Sequence, residues 1–160
     1  MIRLPKKLLF AVEAVLDIAY NAGTQPVQSK EITARQGIPR RYLEQVLQKL
    51  VRAGILSGVR GPRGGYLLAR ERRRITLGDI TRVISAPDAN GEDANGEDAD
   101  GEGALARESD LGVKIVRPIW DEMQDRLIAQ LDSVTIEELC LKAKEAGIDS
   151  EAAARLDFVI

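Results

Sequence analysis

Hydrophobic residues recur at helical spacing through much of the chain, and glycines and prolines divide it into short segments. The first segment predicts an amphipathic helix over Lys6–Asn21, which begins after Pro5 and ends before Gly23. One apolar face of this helix carries Leu9, Val12, Leu16 and Ala19. A short second helix follows over Lys30–Gln36, with Ser29 as its expected N-cap.

A turn at Gly37 separates the second helix from a third, which is predicted to begin at Pro39 and to end at Ala53. Its expected buried stripe consists of Leu43, Val46, Leu47 and Leu50. Two helices joined by a tight turn that contains glycine are typical of a helix-turn-helix.

A β-hairpin is predicted next, because the short apolar runs Ile55–Val59 and Tyr66–Leu68 flank the glycine-rich turn Gly61–Gly65. A hairpin directly after a helix-turn-helix forms a wing. One more helix, Thr76–Ser85, begins with a capping box. The fold class is therefore mainly α with a small β wing, and residues 1–86 are predicted to form a winged helix-turn-helix domain.

An acidic tandem repeat interrupts the helical pattern at residues 88–102, whose sequence is DANGEDANGEDADGE. Because the repeat has seven acidic residues and no basic or large apolar one, residues 87–104 are expected to form a disordered, solvated loop. Calcium binding is the alternative, since these residue types supply oxygen ligands. The calcium-loop pattern requires glycine at its sixth position, where Asp93 stands when the count begins at Asp88.

Helical spacing returns over Arg107–Leu131, where Pro118 predicts either a kink or a helix start. The apolar stripe of this segment consists of Leu111, Ile115, Ile119, Met123 and Leu127, with Val116 and Trp120 beside it. So broad a stripe needs an apolar partner surface, which is either the first helix of the same chain or a second copy.

A last capped helix begins at Thr135 and carries Cys140. Residues 105–140 are accordingly predicted to contain a long helix, which is a candidate dimerisation helix, and this short helix. Residues 141–160 form a C-terminal tail.

Charge is unevenly distributed, although the whole chain has a formal net charge of only −2. Residues 1–86 contain 16 Lys and Arg against 6 Asp and Glu, whereas residues 87–160 contain 7 against 19. A basic half indicates nucleic-acid binding, and double-stranded DNA is the expected partner. The alternative is a protein-interaction module, in which the acidic half docks a partner and the winged domain is a scaffold.

Several classes of chemistry are excluded, because the chain has no His and one Cys. Zinc sites held by four N or S ligands, Ser/His/Asp triads and internal disulfides are ruled out. The glycine-rich turn lacks the Lys-Ser/Thr of a phosphate loop. With no apolar run of membrane-spanning length and no signal-peptide pattern, the sequence predicts a cytoplasmic protein that is not an enzyme and has no membrane partner.

Base contacts in helix-turn-helix proteins come from the N-terminal end of the second helix of the motif. Here that end carries Arg40, Arg41, Tyr42, Glu44 and Gln45. Arg pairs with guanine, Gln with adenine, and Glu accepts from the cytosine amino group. Glu44 is therefore either a base reader or turned to solvent. Two other basic sets are candidates for phosphate contact, with plain solvation as the alternative for the second: Arg3, Lys6 and Lys7, and Arg70, Arg72, Arg73 and Arg74.

Three stretches carry a resemblance to a known family: AVEAVLDIAYNAG, ARQGIPRRYLEQVLQKLVRAGIL and VRGPRGGYLL. They resemble the bacterial winged-helix transcription regulators that include the iron–sulfur cluster regulator (IscR) and the nitric-oxide-sensing and cysteine-metabolism repressors. The resemblance implies a homodimeric regulator that binds an imperfect palindrome, with Glu44 reading a base. It also implies that Arg60 or Arg63 of the wing enters the minor groove, whose narrow form attracts arginine.

The chain departs from the cluster-binding members of that family, which place three cysteines in the loop before the dimerisation helix. Here the acidic repeat stands in that loop, so an iron–sulfur cluster held in the usual way is not expected. Cys140 is a weak ligand candidate, through a cluster shared between two chains, and otherwise a small buried hydrophobe. A small molecule or a protein is therefore the expected effector, unless the chain represses constitutively.

Overall fold

A computed structural model describes residues 4–87 and 109–157, and side chains up to residue 154. The helices are α1 (Lys6–Asn21), α2 (Ser29–Gln36), α3 (Arg40–Arg52), α4 (Leu77–Ser85), α5 (Arg117–Asp132), α6 (Ile136–Glu145) and α7 (Glu151–Asp157). Strands β1 (Leu56–Val59) and β2 (Gly65–Leu68) form an antiparallel pair. The predicted mainly α fold with a small β wing is confirmed. Arg3, the acidic repeat with its calcium alternative, and residues 158–160 lie outside the described residues.

Helix α1 is central, because it contacts α2, α3, α4, α6, α7 and β2. Its bounds are as predicted, but of the predicted apolar face only Ala19 is buried. The buried residues of α1 are Ala11, Ala14, Val15, Asp17, Ile18, Ala19 and Asn21. Leu9 is exposed, and Val12 and Leu16 are only partly buried. Small residues at a contact let neighbouring helices approach closely, so the alanine-rich side faces the core.

The helix-turn-helix consists of α2 and α3, joined through Gly37 in a left-handed conformation with φ 66°. Two cap positions differ from the prediction by one residue. Gln28, not Ser29, is the N-cap of α2, and its backbone N–H donates to the Glu31 carboxylate at 2.7 Å. Pro39 is likewise the N-cap of α3 rather than its first residue. The predicted stripe of α3 is confirmed, because Leu43, Val46, Leu47 and Leu50 are all fully buried.

The wing is anchored to the chain segment that precedes α2. Val27 and Tyr66 exchange two backbone hydrogen bonds, of 3.0 and 2.8 Å, so Val27 extends the two-stranded sheet. A Cβ atom added to Gly65 would lie 2.4 Å from the Val27 carbonyl oxygen, and one added to Gly64 would lie 2.2 Å from the Val59 carbonyl oxygen. The close backbone contacts of the wing therefore account for both glycines.

The C-terminal helices are fastened to the winged domain at the end of α5. Backbone hydrogen bonds of 2.9 Å run from Leu77 to Val134 and from Ile136 to Ile75. Asp132 accepts hydrogen bonds from Arg82 on α4 and from the Thr76 hydroxyl. The α5 helix is thereby held against α4.

Pro118 occupies the first turn of α5, directly after a π-helical turn over Gly112–Val116. The prediction at Pro118 is either a kink or a helix start. The α-helix does begin here, but it continues an irregular helical segment, so each alternative is partly met. Thr135 caps α6 as predicted, because its hydroxyl accepts from the Glu138 N–H at 3.2 Å. Within the described ranges, no helix is both long enough and apolar enough to cross a bilayer.

A buried polar cluster joins α1 to α2 and was not anticipated from the sequence. Asp17 lies at a position that faces the core, and its side chain is fully buried. It accepts hydrogen bonds from Arg35 Nε at 2.9 Å, Arg35 Nη2 at 2.7 Å and Gln36 Nε2 at 2.8 Å. The hydrogen bonds from Arg35 to Asp17 raise the pKa of Arg35 above its ordinary value. The sequence offers one signal for this cluster, which is the position of Asp17 between Leu16 and Ile18. A carboxylate that is buried there requires a partner.

Candidate nucleic-acid interface

The outward face of α3 carries the predicted base-contacting side chains. Arg40, Arg41, Tyr42, Glu44 and Gln45 are all exposed. The opposite face of the same helix lies in the core, as its apolar spacing requires. The buried face therefore fixes α3 in the core, and the opposite face presents polar side chains to solvent.

Glu44 is paired with Arg40 one helical turn away. The Arg40 Nε donates to the Glu44 Oε1 at 2.8 Å, and both side chains are substantially exposed. The sequence left Glu44 as a base reader or a solvated residue, and the structure adds this ion pair to those alternatives. Because the guanidinium neutralises the carboxylate locally, Glu44 adds no net negative charge to the surface when the pair is formed.

Tyr42 links the start of α3 to α1. Its ring lies 6.3 Å from the ring of Phe10, with a 55° angle between the planes, a tilted arrangement that aromatic pairs favour. Tyr42 nevertheless remains 52% exposed. One edge of the side chain thus supports the helix while the rest is available for contact.

The wing and the helix-turn-helix enclose an open groove of about 830 Å³. Its wall includes Lys30 of α2, Arg40 of α3 and Arg60 of the wing, which gives it three cationic side chains. The turn of the wing requires a left-handed backbone at Gly61, with φ 112°. Gln28 Nε2 approaches the Pro62 carbonyl oxygen at 3.5 Å across this groove. Arg63 is exposed at the tip of the same turn.

The basic run after the wing is exposed, and two of its side chains also make contacts within the protein. Arg70 Nε donates to the Gly54 carbonyl at 3.2 Å, which satisfies a backbone acceptor just beyond the end of α3. Arg73 pairs with Glu71 at 2.5 Å. Both side chains remain exposed despite these contacts, so phosphate contact and plain solvation both stay open for the run.

The apolar stripe of the long C-terminal helix is not covered within the described residues. Leu111 is 73% exposed, and the other members are also half or more exposed: Ile115, Val116, Ile119, Trp120, Met123 and Leu127. Helix α5 contacts α4, which leaves this stripe facing outward. Covering by α1 of the same chain, one of the two predicted alternatives, is therefore not what the structure has.

Cys140 is buried in the core beside the three-residue helical turn Arg72–Arg74. Burial raises the pKa of its thiol, and the neighbouring Arg72 guanidinium offsets only part of that rise. The thiol is therefore protonated at neutral pH and is a poor metal ligand. Its interpretation as a small buried hydrophobe agrees with this position.

The residues present do not fit an iron–sulfur cluster. Such clusters are held by several cysteine thiolates, whereas the sequence contains one cysteine and no histidine. In the described ranges, His, Cys, Asp and Glu form no group of three or more that could hold a metal ion.

Comparison with known proteins identifies relatives along most of the chain. A family model described as Rrf2, iron-dependent transcriptional regulator, matches residues 4–142. The HTH-type transcriptional regulator IscR of Enterobacter sp. (strain 638) is 38% identical over 137 residues, which cover 86% of this chain and 78% of that protein. IscR of Klebsiella pneumoniae (strain 342) is 37% identical over the same length, with the same coverage.

Solved structures agree with this assignment. IscR of T. potens superposes with a TM-score of 0.68 at 32% identity and covers 93% of each chain. CymR (YrzC), the global cysteine regulator of B. subtilis, gives a TM-score of 0.64 at 28% identity and covers 89% of this chain and 98% of that one. These proteins are winged-helix regulators and not enzymes. The chain therefore belongs to the Rrf2 family of transcription regulators.

Proposed function

We propose that this regulator is a homodimer that binds an imperfect DNA palindrome and represses transcription. In this proposal residues 1–86 bind the duplex, residues 87–104 are a spacer and residues 105–140 form the dimer. Residues 141–157, which the sequence predicts as part of a tail, contain the end of α6 and helix α7. The N-terminal turns of α3 enter the major groove, and the wing follows the adjacent minor groove. Repression follows from occupation of a promoter, which denies the site to polymerase.

One observation carries the proposal. Cationic side chains from α2, α3 and the wing line a single groove beside the exposed face of α3. Phosphates along a duplex need several cations in register, whereas base edges need polar side chains projecting from a rigid helix. The groove and the helix supply these two requirements next to each other.

The second copy is proposed from the exposed stripe of α5. An apolar surface of this extent is unfavourable in water and marks an interaction site. The same stripe on a second copy of the chain can pack against this one across a two-fold axis, which is the commonest symmetry of soluble oligomers. A two-fold dimer with two α3 helices reads two half-sites, which accounts for an imperfect palindrome.

Within this interface Glu44 is proposed to accept from a cytosine amino group while Arg40 contacts a neighbouring guanine or phosphate. Arg41 and Gln45 are proposed to face the same major groove of the DNA, and Tyr42 supports α3 through its contact with Phe10. Arg60 or Arg63 is proposed to enter the minor groove, where a narrow groove concentrates negative potential.

The test is selection of duplex DNA from a random library, with protein purified without air and its visible spectrum recorded first. A palindromic consensus without absorbance beyond that of the protein is the expected result. Binding should weaken steeply with salt, with a log–log slope of about −0.9 for each phosphate neutralised. Absence of a consensus at low salt would refute the proposal and favour a protein-interaction module. An iron–sulfur chromophore would refute the inference that Cys140 and the other residues present do not hold a cluster.

Glu44→Ala separates base reading from general electrostatics. It should lower discrimination at one base pair by about 1–3 kcal/mol and leave non-specific affinity level or raised. Glu145→Ala is a matched control, because Glu145 is an exposed glutamate at the end of α6. If the selected site is unchanged by Glu44→Ala, Glu44 does not read a base. An in vitro transcription assay on the selected promoter tests repression directly.

A further inference from the structure

The segment that follows α6 contacts the helix-turn-helix, although it lies beyond the residues that the family model matches, which end at 142. Helix α7 packs on α1, and the Cβ atom of Ala152 would be 3.7 Å from a Cβ atom placed on Gly23. Helix α7 thus lies beside the start of the loop between α1 and α2.

Four hydrogen bonds fasten this segment to α1 and α2. The Tyr20 hydroxyl donates to the Ile148 carbonyl at 2.5 Å, and the Ser150 hydroxyl donates to the Tyr20 carbonyl at 2.5 Å. The Glu151 backbone N–H donates to Asn21 Oδ1 at 3.1 Å. Arg35 Nη1 donates to Glu151 Oε1 at 2.7 Å.

The last of these bonds reaches the buried polar cluster of Asp17, Arg35 and Gln36, which joins α1 to α2. Arg35 uses Nε and Nη2 to hold Asp17 and its remaining terminal nitrogen to hold Glu151. Asn21, which is buried, donates from Nδ2 to the Asp17 carbonyl at 3.0 Å while its Oδ1 accepts from Glu151. Arg35 therefore bonds the segment to α2, and Asn21 bonds it to α1, so a displacement of the segment changes the constraints on α2 through Arg35.

The orientation of α2 matters for the proposed function, because α2 packs on α3. Lys30 of α2 also lines the groove between the wing and the helix-turn-helix. A bond on the C-terminal turn of α2 fixes the helix at the end far from that groove. Loss of the bond leaves all the groove side chains in place but lets α2 and α3 sample more orientations. Recognition of a specific site is sensitive to such freedom, whereas non-specific attraction to phosphates is not.

We propose that Glu151 is a positioning residue for DNA recognition, and that the segment Ile148–Asp157 clamps the helix-turn-helix through the Glu151–Arg35 pair. This inference rests on the proposed DNA binding. Detachment of the clamp lowers affinity for the cognate site without unfolding the winged domain.

The experiment compares the full-length protein with Glu151→Ala and with Glu151→Ala/Tyr20→Phe, which also removes the hydroxyl contact to Ile148. Glu145→Ala is the control, since it removes one exposed negative charge from the same C-terminal part of the chain. Two quantities are measured well below the melting temperature. The first is the rate of hydrogen–deuterium exchange at the α2 amides. The second is the affinity for DNA, measured with the selected duplex and with a scrambled duplex.

The expected result is exchange of the α2 amides about threefold faster in Glu151→Ala, the scale of one partly exposed ion pair, and about tenfold faster in the double variant. Affinity for the selected duplex should fall by similar factors, with scrambled-duplex affinity equal to that of the control. Unchanged α2 exchange would overturn the clamp. Faster exchange with unchanged cognate affinity would overturn its role in recognition. If the unaltered protein binds no duplex, the proposed function itself fails, and the exchange measurement alone decides whether the clamp exists.

Discussion

Replacement of Asp17 by asparagine removes a charge from the interior while keeping the shape of the side chain. The carboxylate is fully buried and accepts three hydrogen bonds, two from Arg35 and one from Gln36. Loss of one partner from a buried pair costs about 3–5 kcal/mol, because the other charge is left without compensation. The Arg35 side chain keeps its ion pair with Glu151 and, being 22% exposed, recovers some hydration. The expected loss is therefore at the lower end, about 3 kcal/mol.

Urea unfolding followed by far-ultraviolet circular dichroism measures this loss. With a slope of about 1.5 kcal/mol per M, the midpoint should fall by about 2 M and the slope should not change. All variants are compared at one protein concentration, because a dimer has a concentration-dependent midpoint. Asp149→Asn is the matched control, since Asp149 is exposed, and it should change the free energy of unfolding by less than about 0.5 kcal/mol.

A loss below about 1 kcal/mol for Asp17→Asn, the scale of a surface pair, would refute the reasoning, because Asp17 would then be hydrated in solution. A second variant tests the physical cause. In Asp17→Leu/Arg35→Met both charges are removed together, so most of the stability should return if uncompensated charge is the cause. If the double variant is as unstable as Asp17→Asn, packing and not charge explains the effect.

Three further predictions concern the C-terminal half. Ile119→Glu should raise the dissociation constant of the dimer by more than about tenfold, measured by sedimentation, because a charge enters the apolar stripe; an unchanged constant would place the dimer interface elsewhere. The Arg82 hydrogen bond lowers the pKa of Asp132 below its ordinary value of about 3.9. Stability from this pair is therefore complete above that value and lost as pH falls through the lowered pKa, so the melting temperatures of wild type and Asp132→Asn should differ most near neutral pH and converge in acid. The buried Cys140 thiol should react with iodoacetamide only after urea unfolding, and Cys140→Ala should keep DNA affinity; rapid reaction of the native protein would contradict its burial.

Much of the helix-turn-helix and wing was predictable, because their signals are local. The stripe of α3 follows from spacing alone, and the two wing strands follow from apolar runs on either side of a glycine-rich turn. Cap positions were displaced by one residue at Gln28 and Pro39, since several adjacent residues satisfy the same backbone donors. The exposed character of the α3 side chains was equally predictable, whereas the Arg40–Glu44 pair depended on rotamers.

The amino-acid sequence by itself determined the order of the elements up to α6, the mainly α class with a wing and the opposite net charges of the two halves. Tertiary structure decided which face of α1 is buried, because that helix has apolar residues on more than one side and its neighbours select among them. It also decided that Asp17 meets Arg35, and that Arg35 meets Glu151 across 116 residues of chain. Contacts between residues so distant in sequence leave no periodic signal, since they depend on how helices pack and not on the spacing within any one of them.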